Sequence, residues 1–130
     1  MRAVDTNVLA RFMARDDAEQ TAVADQIMRE QTYISLTVLI ETVWVLASRY
    51  DQSRRAICDA LTELLLLPSV TTANSSLVLW AIDRFGAGAD FADMAHLIDS
   101  RSADCFASFD RGVAKGAGHD SPLPVETLRA

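Results

Sequence analysis

The pattern of apolar and polar positions along this chain predicts short strands alternating with helices. Arg2-Ala3-Val4 is a short apolar opening strand, and Asp5-Thr6-Asn7 behind it reads as a turn or cap, since all three residue types favour helix N-caps. A short helix is expected over 8–14. Asp16 followed by Glu19 has the spacing of a capping box, opening a helix with Ala18, Ala22, Val23 and Ile27 on one face. Residues 32–36, rich in β-branched and aromatic types, read as a second strand. Ser35 or Thr37 is placed to cap a helix reaching about Tyr50. Val38, Leu39, Ile40, Val43, Trp44, Val45 and Leu46 make that helix apolar nearly all round, so it is expected to be largely buried.

The second half continues the alternation. Ser53 starts a helix that Pro68 stops, and 69–72 form a short strand. Asn74 caps a helix ending at Gly86, which has the character of a C′ residue. After Gly86-Ala87-Gly88-Ala89, Asp90 opens a helix to about Ser102. Residues 104–109 read as a strand ending at Asp110. A glycine-containing loop follows, and Leu123-Pro124-Val125 begins a last short strand. Strands alternating with helices or helix pairs argue for the α/β class with a mostly parallel sheet.

Length and composition add bounds. The 130 residues suit a single domain, 1–130, around one core. The apolar and charged fractions are those of a globular chain, and no stretch resembles a signal peptide or a membrane span. Cys58 and Cys105 form no C-x-x-C or Cys/His cluster, which disfavours a zinc site and a disulfide framework. A cytoplasmic setting is expected. The formal net charge of −6 is neutral about a nucleic-acid partner, because placement of the basic residues matters more than their sum.

The candidate chemistry lies in the acids. Asp5 and Asp110 each stand directly after a predicted strand, where ligand sites of open α/β sheets form. Glu41 is the only charge between Tyr33 and Arg49, inside the apolar helix expected to be buried; a buried carboxylate needs a positive partner, and with no Lys or Arg near it in sequence that partner is expected to be a metal or a distant arginine. Asp90 and Asp93, three apart, share one helix face. Oxygen donors of this kind suit Mg²⁺ or Mn²⁺ rather than zinc, with Asp5 and Asp93 as direct ligands and Glu41 and Asp110 completing the set. Asn7 and Ser108 are hydrogen-bonding groups placed to orient them. Taken singly, each acid has an ordinary reading as a cap, a turn residue or half of an ion pair. The combination points to phosphodiester hydrolysis by metal-activated water. Arg11, Arg15, Arg111 and Lys115 are the basic residues nearest in sequence to these acids, and are candidates for backbone phosphate contacts.

Four segments together resemble the motifs of PIN domains. These are Asp5-Thr6-Asn7-Val8-Leu9 after a short strand, Glu41 within 34–46, Asp90-Phe91-Ala92-Asp93-Met94-Ala95-His96, and Ser108-Phe109-Asp110. The resemblance covers essentially the whole chain. It implies a three-layer α/β/α sandwich with a central, mostly parallel sheet. The short form is similar to VapC-type toxins of toxin–antitoxin pairs, which implies Mg²⁺- or Mn²⁺-dependent ribonuclease activity, a small inhibitory antitoxin and a homodimer. Leu9, Phe12, Met13, Val23, Ile27 and Met28 are candidates for an apolar groove that would take the partner, or else fill the domain's own core. Other readings are a free-standing RNA-processing nuclease and a non-catalytic module whose acidic pocket binds a partner's arginine. A receiver domain would pair acids after its first strand, and an Asp-x-Asp phosphatase would need an acid where Asn7 stands.

Overall fold

The computed structural model describes residues 1–130 and belongs to the α/β class, with parallel strand pairing throughout. Its elements fall into two compact units, 1–75 and 76–130.

In the first unit, β1 (Arg2–Ala3), β2 (Thr32–Tyr33) and β3 (Val70–Thr71) lie side by side in that order. The register sets Arg2 and Val70 on either side of Thr32. The strands are brief, but their ladder continues past them: Val4 N–H donates to Tyr33 O at 3.2 Å and Ile34 N–H to Thr71 O at 2.9 Å. Parallel neighbours need long crossovers, and each one here is a helix pair. The first is α1 (Thr6–Ala14) with α2 (Ala18–Arg29), the second α3 (Leu36–Ser48) with α4 (Arg54–Leu66). Leu9, Ile34, Leu39, Leu46, Ile57 and Leu61 are fully buried. Thr32 is buried too, its hydroxyl satisfied by Ile27 O and Glu30 O.

The second unit runs α5 (Ser75–Gly86), α6 (Phe91–Asp99), β4 (Phe106–Ser108), α7 (Arg111–Ala117) and β5 (Val125–Thr127). β4 and β5 pair in parallel, with Phe106 opposite Val125 and Ser108 opposite Thr127. Phe85 and Phe91 meet edge to face with ring centroids 6.1 Å apart, a favoured aromatic geometry.

Several expectations are corrected. The helix opened near Asp16 is capped by Asp17, which accepts from Gln20 N–H at 3.0 Å. Asp16 is occupied elsewhere, taking Arg11 at 3.1 Å and the Tyr50 hydroxyl at 2.9 Å. The buried face of α2 is Thr21, Ala24 and Met28, rotated from the predicted Ala18, Ala22, Val23 and Ile27. α3 is not largely buried: Thr37, Glu41, Trp44 and Ser48 form an exposed stripe, with Trp44 62 % exposed. Gly86 is the last residue of α5, and the turn is made by Gly88 at φ 115°, a conformation only glycine adopts cheaply. The predicted loop after Asp110 is the helix α7.

Two glycines hid α7, because glycine weakens a helix by about 1 kcal/mol against alanine. Gly116 is there for packing. A Cβ at that position would lie 3.0 Å from Ala89 Cβ and 3.2 Å from Met94 Cε. Gly116→Val is expected to lower stability by about 1–3 kcal/mol through overpacking, although valine favours the helix more than glycine does. Urea unfolding of the purified variant checks this.

Candidate active site

Each helix start leaves backbone N–H groups without partners, and short polar side chains supply the acceptors. Asp5 caps α1 and accepts from Thr6 N–H at 2.8 Å. Ser35 caps α3, accepting from Val38 N–H at 3.2 Å. Asp90 caps α6 through Asp93 N–H at 2.9 Å, and Asp110 caps α7 through Gly112 N–H at 2.7 Å. Asp5 and Asp110 therefore stand where they were expected, at the carboxyl ends of β1 and β4, one in each unit.

The second unit brings three of the five acids together. Asp90, Asp93 and Asp110 line one hollow of about 500 Å³, with Arg84, Ala87, Gly88, Ala89, Gly112, Lys115 and Gly116 completing its walls. Asp93 is half-buried and its carboxylate accepts no hydrogen bond. Partial burial, then the charges of Asp90 and Asp110, push its carboxyl above the ordinary 3.8, against a smaller opposing pull from His96. Ser108 orients the last acid, its hydroxyl accepting from Asp110 N–H at 3.0 Å.

Asp5 and Glu41 lie in the first unit, and Asn7, two residues after Asp5, is exposed in the first turn of α1. Glu41 is exposed. Its carboxylate therefore needs no cation to offset burial, contrary to expectation, and the candidacy of Glu41 rests on its motif position. The basic candidates divide similarly. Arg11 is held by Asp16, Gln20 and Tyr50, and Arg15 forks onto Asp25 with two contacts of 2.9 Å. Lys115 lines the acidic hollow, and Arg111 stands beside Asp110 without an ion pair. Sequence reading missed Arg84, whose Nε donates to Gly116 O at 2.7 Å on the same wall. It sits in the last turn of α5, and nothing in the local sequence ties it to the acids.

No three acidic, imidazole or thiol side chains converge closely enough to cage a metal ion. The donor set nonetheless fits a hydrated one. Mg²⁺ keeps several waters and needs one or two carboxylates; Asp93 is free to serve, and Asp90 and Asp110 each commit one oxygen to a cap. No helix is long and apolar enough to cross a membrane.

The sequence profile of the PIN domain matches residues 2–117. No curated protein matches the chain.

Asp93 generates a test that does not depend on turnover. Its folded pKa is raised, so between 3.8 and that higher value the unfolded chain gives up its proton first. Stability therefore falls as pH rises through this window. Above it, without metal, Asp93→Asn is expected to melt a few degrees higher than the parent. Mn²⁺ or Mg²⁺ should raise the parent's Tm and move the variant's much less. Thermal melts at neutral pH with and without each ion check both halves.

Proposed function

This chain belongs to the PIN-domain family, whose members are in general metal-dependent nucleases, and from that premise we propose that it is an endoribonuclease hydrolysing RNA phosphodiester bonds with Mg²⁺ or Mn²⁺. The observation that carries the reading is the hollow shared by Asp90, Asp93 and Asp110, with Asp93 unsatisfied and repelled by its neighbours. Such a carboxylate is stabilised by a cation. Asp93 and Asp110 would hold such an ion, with Asp90 offering the oxygen that its cap leaves free; the chemistry it would supply when bound is an activated water and compensation of charge on the leaving oxygen. Asp5 and Glu41 are assigned to the same chemistry on their motif positions alone. Asn7, beside Asp5, and Ser108, bonded to the Asp110 backbone, orient the acids. Arg111 and Lys115 take the phosphate backbone; Arg11 and Arg15 are weaker candidates, since carboxylates already hold them.

In this reading the whole chain is one PIN domain and the toxin of a toxin–antitoxin pair, inhibited by a small partner. Two apolar hollows support a partner of that kind. One, of about 380 Å³ between α1 and α2, is lined by Val8, Val23, Ala24 and Ile27. The other, of about 240 Å³, sets Phe12 and Met13 against Ala60 and Leu64 of α4 and Leu67 just after it. Leu9 and Met28, also candidates for such a groove, are buried in the core. The reading includes a homodimer, for which exposed Trp44 on α3 is a side chain that association would cover.

RNA cleavage is expected to stop in EDTA and to leave 5′-phosphate and 3′-hydroxyl ends, since no pair of histidines is placed to use the ribose 2′-hydroxyl. Asp93→Asn and Asp110→Asn should each cost more than the roughly 10–100-fold typical of groups that only orient a ligand. End-group analysis of a cleaved RNA, with the two variants assayed in Mn²⁺, checks this. Cleavage surviving EDTA, or 2′,3′-cyclic ends, would rule it out.

A further inference from the structure

Phe109 is 70 % exposed, the one large hydrophobic side chain of the second unit left in solvent. It stands in the bend that follows β4, a strand whose Phe106 and Ser108 are half-buried while Ala107 is exposed. It borders a hollow of about 710 Å³ with Arg111, Thr127, Leu128 and Arg129. The ladder holds those walls in place, with Ser108 opposite Thr127 and Leu128 N–H donating to Ser108 O at 2.7 Å. Arg111 and Arg129 are exposed, and neither takes part in any of the chain's ion pairs. The acid between Phe109 and Arg111 faces differently: Asp110 lines the carboxylate hollow. Residues 109–111 thus form a wall between two cavities, with Asp110 turned into one and its neighbours into the other.

We propose that this second cavity is a subsite for single-stranded RNA, in which a base stacks on Phe109 and the adjoining phosphates meet Arg111 and Arg129; the proposal rests on the nuclease reading above. A polyanion without planar groups would satisfy the arginines and leave the ring in water. The combination therefore selects a polyanion that carries aromatic bases, and an aromatic platform beside cations is how unpaired strands are held. A base must leave its helical stack to reach the ring, so duplex RNA is excluded. Phe109 and Asp110 are neighbours in the chain, with Cα atoms about 3.8 Å apart, so the stacked base lies within a few nucleotides of the cut bond. The subsite then helps decide where the strand is cut.

The test uses the full chain carrying Asp93→Asn, so that bound RNA stays intact. Phe109→Ala, Phe109→Leu and Phe109→Trp are added, and Kd is measured for a short fluorescein-labelled single strand and for the matching duplex. Alanine and leucine should weaken single-strand binding about tenfold. Tryptophan should bind as the parent does, and the duplex Kd should not move. Tm should be unchanged, since the ring is exposed. In the catalytically intact chain the same replacements should redistribute cleavage positions. Removing Arg111 and Arg129 should flatten the dependence of log Kd on log salt by about 0.7 per arginine. The subsite is overturned if Phe109→Leu binds as tightly as the parent, or if single strand and duplex weaken equally. If the parent chain cuts no RNA in Mn²⁺, the nuclease reading fails by itself, and the Kd series still decides the subsite.

Discussion

Every parallel strand that returns through a helix must end in an abrupt change of backbone geometry, and the N–H groups at the new helix start need an acceptor. That constraint places the chemistry here. After β1, β2 and β4 the acceptor is Asp5, Ser35 and Asp110 in turn, and Asp90 does the same for α6. A short side chain at a strand end that already points an oxygen into the turn is structural and chemically accessible at once. Within each unit the carboxylates need no separate scaffold to be held at a helix start.

Capping also divides labour among the acids. Asp90 and Asp110 each spend one oxygen on a backbone N–H, which fixes their side chains. Asp93 has no such anchor. Its own N–H is what Asp90 caps, so the two residues are locked together while their charges repel. A fold that fixes two carboxylates beside a third that accepts no hydrogen bond leaves unfavourable electrostatic energy in that one side chain.

Much of this was legible because caps, strands and stops leave local marks. Ser53 and Pro68 bracket α4, and Asp90 opens α6. The strand–aspartate pairs at Asp5 and Asp110 read directly. What was not legible depends on tertiary contacts. Asp16 and Asp17 are equivalent as caps until Arg11 and Tyr50 claim Asp16. α7 looked like a loop because its Gly116 answers to Ala89 and Met94 rather than to helix propensity. α3 looked buried because its apolar residues surround the helix, yet its Thr37–Glu41–Trp44–Ser48 face is open. Arg84 reaches the acidic hollow through a hydrogen bond spanning more than thirty residues of sequence, which no local pattern announces.

The overall acidity, which at first argues against a polyanionic substrate, looks different at the scale of the site. In the first unit Arg2, Arg11, Arg15 and Arg55 are all paired with carboxylates. Around the acidic hollow the cations are not spent in this way. Arg84 and Lys115 share its walls with Asp90, Asp93 and Asp110, leaving one excess negative charge when all are ionised. A single divalent cation reverses that sign. Screening limits the reach of such charges to about 8–10 Å, so a phosphate approaching the hollow responds to this local balance more than to the distant acids in the −6 total. Under the proposed function, a divalent cation bound there would relieve Asp93 and, by the same charge, turn the hollow from repelling a polyanion to attracting one, so that metal occupancy and substrate binding would be coupled before any bond is broken.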